Sequence, residues 1–298
     1  MITVSDLTKQ YGKRLAVDGM TFDVAAGRVT GFVGPNGAGK STTMRMMVGL
    51  TRPGRGDVRY SGVHYRDLKH PARTVGSVLD ARCMHPGRTA RNHLRATAAL
   101  SGIPTARAEE VLAEVGLGTA ADQRAGKFSL GMRQRLALAG ALLGDPQVLL
   151  LDEPSNGLDP DGIRWLRDYL RDFARRGGTV FVSSHLIGEL SMFADDLIVV
   201  GGGRLLAAES VQEITARNDV AVLIQTLQPA ELASRLAAHG LVVEVAADRL
   251  IVRGTTRAAV SQIAFDSRIQ VLELRETSRS LEDSLLDMTR ASAEFASA

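Results

Sequence analysis

A glycine-rich segment near the start of the chain has the residue types that bind phosphate. It matches the spacing G-x-x-x-x-G-K-[ST], with a strand-forming run, Val29–Val33, before it and a helix-forming run, Ser41–Leu50, after it. Glycines let the backbone fold into a nest of N–H groups aimed at phosphate oxygens, and the helix dipole adds to that field. Lys40 supplies a positive charge for the β- and γ-phosphates, and the Ser41 hydroxyl is a ligand for Mg²⁺. The predicted contacts to a nucleotide in this segment are Gly34, Pro35, Asn36, Gly37, Ala38, Gly39, Lys40, Ser41 and Thr42.

Two acidic residues later in the chain complement the phosphate-binding segment. Asp152 and Glu153 directly follow an apolar run, Val148–Leu151, that reads as a buried strand. A carboxylate at the end of such a strand is placed to hold the Mg²⁺ shell, which is the role we predict for Asp152. Glu153 is predicted to be the general base or to orient the attacking water. The alternative is that the pair belongs to a solvated loop.

Short apolar runs and helical periodicity predict the elements that position these residues. Ile2–Leu7, Met20–Val24 and Val29–Val33 read as strands of an antiparallel or mixed sheet that opens the chain. Helical spacing over Thr89–Ala99 and Arg107–Leu117 predicts a mostly helical insert at about residues 82–141.

The chain then returns to an α/β pattern. Val148–Leu151 and Thr179–Val182 are continuous apolar runs on either side of a predicted helix, Gly162–Arg175, which is typical of a parallel sheet buried on both faces. The first domain, residues 1–217, is therefore predicted to be an α/β domain with a helical insert.

A smaller α+β domain is predicted for residues 218–298. Its elements follow the order β-α-β-β-α-β, which is the ferredoxin-like order, and a closing helix follows them. The predicted elements are Val220–Thr226, Pro229–Ala238, Leu241–Val245, Leu250–Arg253, Thr256–Ala264, Ile269–Leu274 and the closing helix Leu281–Met288, with a turn at Ala247–Asp248. No catalytic constellation is found in this domain.

Composition and charge narrow the class of protein. The 298 residues are 45% hydrophobic and 23% charged, which is typical of a folded globular chain of about two domains. The formal net charge of +3 is too small for the footprint of a nucleic-acid-binding protein. The single cysteine, Cys83, excludes an internal disulfide and favours a reducing compartment. We find no signal peptide and no apolar run long enough to span a membrane, so any membrane role is expected to be peripheral.

The helical insert contains Phe128-Ser129-Leu130-Gly131-Met132 at the start of a helix, shortly before the acidic pair. With this motif the chain resembles the ATP-binding cassette (ABC) ATPases, whose signature motif is LSGGQ and its variants. Asn156-Gly157-Leu158-Asp159 resembles their D-loop, and Ser183-Ser184-His185 resembles their switch-histidine motif. Tyr11 stands where the family stacks an aromatic ring on adenine. The resemblance covers about residues 1–215 and implies a P-loop NTPase fold with an antiparallel β subdomain, with ATP and Mg²⁺ as its ligands.

The resemblance also implies a role for each motif. Ser129 and Gly131 lie at a helix N-terminus and would face the γ-phosphate bound by the opposite subunit, so that a homodimer or pseudo-dimer sandwiches two ATP molecules. His185 would donate to the γ-phosphate and report its loss. Asp159 would contact the other subunit near its phosphate-binding segment. The other histidines are interpreted as structural: His64, His70, His85, His93 and His239.

Two residues depart from the family pattern. Asp80 stands where the family has a glutamine; it can take part in coordinating Mg²⁺ and water, but it cannot donate a hydrogen bond when ionised. Met132 replaces the usual signature glutamine and removes a polar side chain. Both departures are expected to affect the rate of ATP hydrolysis and the sensing of its product rather than ATP binding. The presence of Glu153 and His185 favours a competent ATPase over a regulatory ATP-binding module with weak hydrolysis.

Three segments resemble a particular branch of the family. Ser129–Arg135, the run Leu79–Arg82 followed by His85–Arg88, and Ser280–Asp283 are similar to the ATPase subunits of bacterial drug and antibiotic exporters, of the daunorubicin or bacitracin resistance type. That resemblance implies a separate transmembrane permease, whose docking surface would lie near Arg82–Arg91. It also implies a cytoplasmic protein that is peripheral on the inner face of the cell membrane.

A soluble ABC ATPase that acts on ribosomes or DNA is the other candidate. Ribosomal members usually carry two cassettes in one chain, and repair members carry a long coiled coil. Neither feature is present in this sequence, so no nucleic-acid partner is expected.

Overall fold

The chain divides into two units, which are described one at a time. The first extends from Met1 to Val211, and the second begins at Gln212. The computed structural model describes residues 1–80, 84–216, 220–246 and 249–278. Several predictions lie outside the described residues: Cys83, Ala81 of the Leu79–Arg82 run, the Arg82–Cys83 part of the docking surface, the domain boundary near 217, the Ala247–Asp248 turn, and the Ser280–Asp283 motif with the closing helix Leu281–Met288.

The described part of the first unit contains both strands and helices. In chain order these elements are β1 (Ile2–Tyr11), β2 (Arg14–Val24), β3 (Val29–Val33), α1 (Lys40–Met47), β4 (Arg55–Tyr60), β5 (Val63–His64), α2 (Pro71–Thr74), β6 (Val75–Val78), α3 (Ala90–Leu100), α4 (Arg107–Glu114), α5 (Leu130–Leu142), β7 (Val148–Asp152), α6 (Pro160–Arg175), β8 (Thr179–Ser184), α7 (Ile187–Ser191), β9 (Asp196–Gly201), β10 (Arg204–Ser210) and α8 (Val211–Ala216), the last of which crosses into the second unit.

An antiparallel sheet with the strand order β2-β1-β4-β5 forms one layer of the first unit. β1 and β2 make a hairpin whose last pair is Tyr11 opposite Arg14, so the turn has only two residues. The expectation that Val29–Val33 shares this sheet is wrong. All five residues of that strand are buried, whereas β1 has an exposed face, and a strand covered on both sides belongs inside a parallel sheet.

The second sheet has the order β10-β9-β3-β8-β7-β6, as predicted for a parallel core. Five of its strands are parallel to their neighbours, and β10 is antiparallel to β9. Its register pairs Val33 with Ser184 and Asp152 with Ser183. The carboxyl ends of β3, β7 and β8 therefore meet at one edge of the sheet, where ligands bind in open α/β folds.

The insert is helical, as predicted, and is built from α3, α4 and α5. Thr89 caps α3 by accepting a hydrogen bond from the backbone N–H of Asn92 at 3.2 Å. α4 ends at Glu114, three residues before the predicted end, because Gly116 adopts a φ of 72° that stops a helix. No helix in the described part of the chain is both long and apolar enough to cross a membrane.

The second unit follows the predicted β-α-β-β-α-β order in its described residues. Its elements are β11 (Val220–Thr226), α9 (Pro229–Ala238), β12 (Val242–Ala246), β13 (Arg249–Arg253), α10 (Arg257–Asp266) and β14 (Val271–Ser278). The sheet is antiparallel with the order β12-β13-β11-β14, which is the ferredoxin-like arrangement. Both helices pack on one core, since Leu232 and Leu236 of α9 are buried with Val260 of α10 and the sheet residues Val222 and Val252.

Candidate active site

A groove of about 450 Å³ lies in the first unit beside the segment between β3 and α1. Its walls come from three parts of the chain: the β1–β2 hairpin, the phosphate-binding loop, and the ends of β7 and β8. The residues that line it are Tyr11, Arg14, Ala16, Asn36, Gly37, Gly39, Lys40, Ser41, Thr42, Glu153, Asn156 and His185. Seven of the predicted nucleotide contacts therefore line one groove, together with Glu153 and His185.

Glycine is required in the phosphate-binding loop because the surrounding backbone comes very close. A Cβ on Gly34 would lie 2.2 Å from the carbonyl oxygen of Val200, and a Cβ on Gly39 would lie 2.5 Å from that of Ala16. Gly39 also has a φ of 99°, which side chains of L-residues rarely adopt. The loop is thus held against β2 and β9, with its amide groups at the N-terminus of α1.

Lys40 is the buried cation of the groove. Only 6% of its surface is exposed, and its Nζ donates to the carbonyl oxygen of Gly34 at 2.7 Å. Glu153 Oε1 lies 3.5 Å from the same Nζ. The ammonium group is held inside the loop that would wrap a phosphate, so a bound anion would compete with Glu153 for it.

Glu153 adopts an unusual backbone conformation, with a φ of 49°. Positive φ is uncommon for a residue with a side chain and costs about 1–3 kcal/mol unless the surroundings hold it. Ser183 provides that hold: its Oγ accepts a hydrogen bond from the Glu153 N–H at 3.0 Å and donates its own proton to Asp152 Oδ1. One hydroxyl on β8 therefore fixes both members of the acidic pair.

The Glu153 carboxylate also contacts His185. The His185 Nδ1 lies 2.8 Å from Glu153 Oε2, while the other carboxylate oxygen faces Lys40. Since a carboxylate accepts but does not donate, Nδ1 carries a proton in this contact. The predicted base and the predicted sensor are thus in direct contact, although 32 residues separate them in the sequence.

The signature motif and the last three residues of the D-loop motif lie close to each other and do not line the groove. A Cβ on Gly157 would lie 2.0 Å from a Leu130 side-chain carbon, and one on Gly131 would lie 3.4 Å from Leu158. Ser129 caps α5, accepting from the Met132 N–H at 3.2 Å. Asp159 caps α6 in the same way, accepting from the Gly162 N–H at 2.9 Å. In this chain Ser129 and Asp159 therefore both serve as helix caps.

Comparison with known proteins places this geometry in a family. A family model described as "ABC transporter" matches residues 17–156, and one described as a domain of unknown function (DUF8746) matches residues 220–282. The ABC transporter ATP-binding protein YhcH of Bacillus subtilis (strain 168), described as uncharacterized, is 34% identical over 301 residues, which are 99% of this chain and 97% of the relative. The chain belongs to the ABC transporter family. The bacitracin transport ATP-binding protein BcrA of Bacillus licheniformis is 40% identical over 73% of this chain and 72% of its own length. A solved dimeric bacterial ABC transporter cassette superposes with a TM-score of 0.65 at 25% identity, covering 71% of this chain and 99% of that one.

These similarities confirm the predicted resemblance and fold class. The chain is an ATP-binding subunit of an ABC transporter and an ABC ATPase. The transporter relatives do not favour a soluble ATPase that acts on ribosomes or DNA.

Several predicted site residues of the ABC cassette do not line the groove. Gly34, Pro35 and Ala38 belong to the phosphate-binding loop without facing the groove, and Asp152 is joined to it through Ser183. Asp80 is exposed and follows β6, the strand next to β7. The groove-lining residues also do not include Ser129, Gly131 or Asp159.

Three groove residues of the ABC cassette were not singled out from the sequence as nucleotide contacts: Arg14, Ala16 and Asn156. Asn156 belongs to the D-loop motif, but the motif alone did not predict that this residue lines the groove. Arg14 and Ala16 carry no motif. The available signal was their place on the strand that follows the Tyr11 turn, since alternate residues of a strand share a face.

Two of the histidines interpreted as structural, His85 and His239, have local hydrogen-bond partners for their side chains. His85 Nδ1 accepts from the Gly87 N–H at 3.1 Å, and His239 Nδ1 lies 2.8 Å from the Arg235 carbonyl oxygen. His93 of α3 is half-buried, and its pKa is lowered first by burial and then by the charge of Arg88. Its Nδ1 is buried and has no hydrogen-bond partner in the described part of the chain. None of the three lines the groove.

Arg91, at the edge of the predicted permease-docking surface, is engaged within its own unit. Its guanidinium pairs with Asp122 at 2.9 Å and also contacts Glu109. Hydrogen bonds to both carboxylates raise the pKa of Arg91. The side chain therefore ties α3 to α4 and to the segment after it.

Proposed function

We propose that the chain is the ATP-hydrolysing subunit of an exporter of drugs or antibiotics, working as a nucleotide-sandwich dimer with a separate permease. The observation that carries the hydrolytic part is the contact of Glu153 with both Lys40 and His185 inside the groove. Similarity to a bacitracin transport protein supports the exporter part.

In the proposed reaction, the loop amides and Lys40 bind the phosphates and Tyr11 stacks on adenine. As the phosphates enter, Lys40 exchanges its ion pair with Glu153 for contact with the anion. The freed carboxylate orients a water and accepts its proton as the water oxygen attacks the γ-phosphorus. The bond from the γ-phosphorus to the ADP oxygen breaks, leaving ADP and inorganic phosphate.

His185 is proposed to read the state of the γ-phosphate. Its Nδ1–H already faces Glu153, so the ring can donate to a phosphate oxygen only through a proton on Nε2. Loss of the phosphate would remove this hydrogen bond, which couples hydrolysis to the position of the segment after β8.

The oxygen donors at this edge of the sheet fit a nucleotide-bound Mg²⁺. Magnesium bound with a nucleotide usually takes one or two protein oxygens, with phosphate oxygens and waters completing its shell. Ser41 lines the groove, and Asp152 is the last residue of β7. In the described residues, no group of three His, Cys, Asp or Glu side chains could hold a metal ion without other ligands. Ser41 and Asp152 would hold the ion, which would neutralise phosphate charge. The metal role of Asp80 stays a prediction.

The dimer is proposed because Ser129 and Gly131 of the signature motif and Asp159 of the D-loop are not among the residues that line the groove of their own chain. The proposed contacts of Ser129 and Gly131 with a γ-phosphate, and of Asp159 with the segment that binds it, therefore require a second copy. The similarity to a dimeric cassette supports this arrangement. Bound ATP would hold the two copies together, and its hydrolysis would release them.

The proposed setting is the cytoplasmic face of the cell membrane, with the permease contacted near Arg82–Arg91. The domain division at residues 1–217 and 218–298 remains part of the proposal, with the second domain as an accessory to the cassette.

The first experiment identifies the partner. The tagged chain is purified from its host's membranes in mild detergent, with an untagged strain as control, and the co-purifying proteins are identified by mass spectrometry. A stoichiometric multi-span protein is expected. Recovery with ribosomes or nucleic acid, or with no partner at all, would contradict the transporter proposal, and absence of ATP hydrolysis in the purified complex would contradict the enzymatic one.

A further inference from the structure

Arg14 is a groove residue to which none of the family motifs in the chain assigns a role. It is the first residue of β2, directly opposite Tyr11 across the two-residue turn. Directly opposed residues of an antiparallel pair project to the same face of the sheet. Both side chains do line the groove, so the hairpin delivers an aromatic ring and a guanidinium to the same ligand space.

The strand that begins with Arg14 runs along the phosphate-binding loop. The carbonyl oxygen of Ala16 comes within 2.5 Å of where a Cβ on Gly39 would lie, and Arg14 Nη2 comes within 3.4 Å of the corresponding point on Gly37. Ala16 of β2 therefore lies next to Gly39 of the loop, and Arg14, two residues earlier in β2, lies next to Gly37, two residues earlier in the loop. This register places Nη2 of Arg14 beside Gly37 of the phosphate-binding loop.

In the part of the chain that the structure describes, Arg14 makes no ion pair, and its side chain is exposed. Lys40, the other cation of the groove, already contacts the Glu153 carboxylate and two backbone carbonyl oxygens. An unpaired guanidinium beside an anion-binding loop is suited to phosphate, because its planar fork donates two parallel hydrogen bonds to phosphate oxygens and stays protonated.

We propose that Arg14 is a nucleotide-binding residue that contacts the polyphosphate of ATP and favours nucleotides with more phosphates. The inference rests on the proposed function, since it names a further contact in the same groove. The charge of Arg14 acts on nucleotide binding, which precedes hydrolysis. The affinity lost on its removal should therefore grow with the number of phosphates on the ligand.

The test compares Arg14→Ala with Lys13→Ala in the full-length chain. Lys13 is the matched control, because it carries the same charge at the adjacent position, is exposed, and does not line the groove. Dissociation constants are measured for adenylyl imidodiphosphate, ADP and AMP by competition with a fluorescent nucleotide. Arg14→Ala is expected to weaken the triphosphate analogue about tenfold, the lower end of what one charge-assisted hydrogen bond contributes, with a smaller loss for ADP and almost none for AMP.

Arg14→Lys tests the geometry of the contact. A point charge keeps the attraction but loses the paired hydrogen bonds, so an intermediate loss is expected. Equal losses for all three nucleotides would mean that Arg14 contacts the base or ribose, and would overturn the proposal. An Arg14→Ala affinity equal to that of Lys13→Ala would overturn it as well, provided that thermal melts show both variants folded; an Arg14→Ala chain that failed to fold would leave Arg14→Lys to decide.

The same data separate this inference from the proposed function. If the wild-type chain binds none of the three nucleotides, the assignment of the groove itself fails. If the wild type and Lys13→Ala bind the triphosphate analogue and Arg14→Ala binds it equally well, only the role of Arg14 fails.

Discussion

Replacing Glu153 by glutamine tests the proposed chemistry with the smallest change of shape. Glutamine keeps the volume of the side chain and one carbonyl oxygen that can still accept from His185 Nδ1, 2.8 Å away in the wild type. It loses the negative charge that faces Lys40 and the ability to accept a proton from water. Hydrolysis and ATP binding should therefore respond in opposite directions.

The expected sizes follow from the two roles of the carboxylate. Removing a positioned general base typically costs a factor of about 10²–10⁴ in rate, or about 3–5 kcal/mol of barrier. For binding, a unit charge pair at the 3.5 Å separation of Glu153 and Lys40 is worth about 1 kcal/mol in bulk water and about 5 kcal/mol at an effective dielectric constant of 20. Glu153 is one-fifth exposed and faces an open groove, so the lower figure applies. The affinity for ATP should rise about fivefold.

The assay measures phosphate release and the ATP dissociation constant for the wild type, Glu153→Gln and Glu231→Gln. Glu231 is exposed on α9 of the second unit, so its replacement makes the same charge change away from the groove and should leave both quantities unchanged. Size-exclusion chromatography with ATP should show a persistent dimer for Glu153→Gln alone. Turnover like the wild type in that variant would remove Glu153 from its role, and ATP binding weakened tenfold would refute the electrostatic argument.

Three further substitutions test other structural interactions in the first unit. Ser183→Ala removes the hydroxyl that fixes both acidic residues; we expect about tenfold slower ATP hydrolysis and a loss of about 1–3 kcal/mol in the free energy of unfolding, measured by initial rates and urea titration. Gly34→Ala would place a Cβ 2.2 Å from the Val200 carbonyl oxygen and should cost about 1–3 kcal/mol, whereas Gly118→Ala, with open space around it, should be close to neutral in the same thermal melts. For His93, the folded-state pKa lies below the unfolded value of about 6.5, so protonation favours the unfolded chain and stability should fall as the pH drops through about 6.5. His93→Gln should reduce the acid-induced shift of the urea midpoint, and an unchanged shift would show that other groups cause it.

Much of the ABC cassette was predictable because its nucleotide-binding residues lie in short sequence motifs. The loop from Gly34 to Ser41 needs glycines and a lysine at fixed spacing whatever surrounds it, and the run before Asp152 is apolar because both faces of its strand are buried. The order of elements in the second unit was also readable, since each strand and helix shows its own periodicity.

Which sheet a strand joins could not be read in the same way. Val29–Val33 looks like a neighbour of the strands that precede it, but it pairs with β8 and β9, which lie far along the chain. Pairing between distant strands depends on burial and register across the whole unit, and a local pattern contains neither.

The sequence by itself determined the motifs, their order and therefore the family, because each motif is a local backbone requirement. Tertiary structure alone decided that Glu153 contacts both Lys40 and His185, and that Arg14 stands beside Gly37. Those contacts arise where strand ends from distant segments meet at one edge of a sheet and a hairpin folds over it. Their distances are set by the pairing of the strands, and no spacing along the chain encodes them.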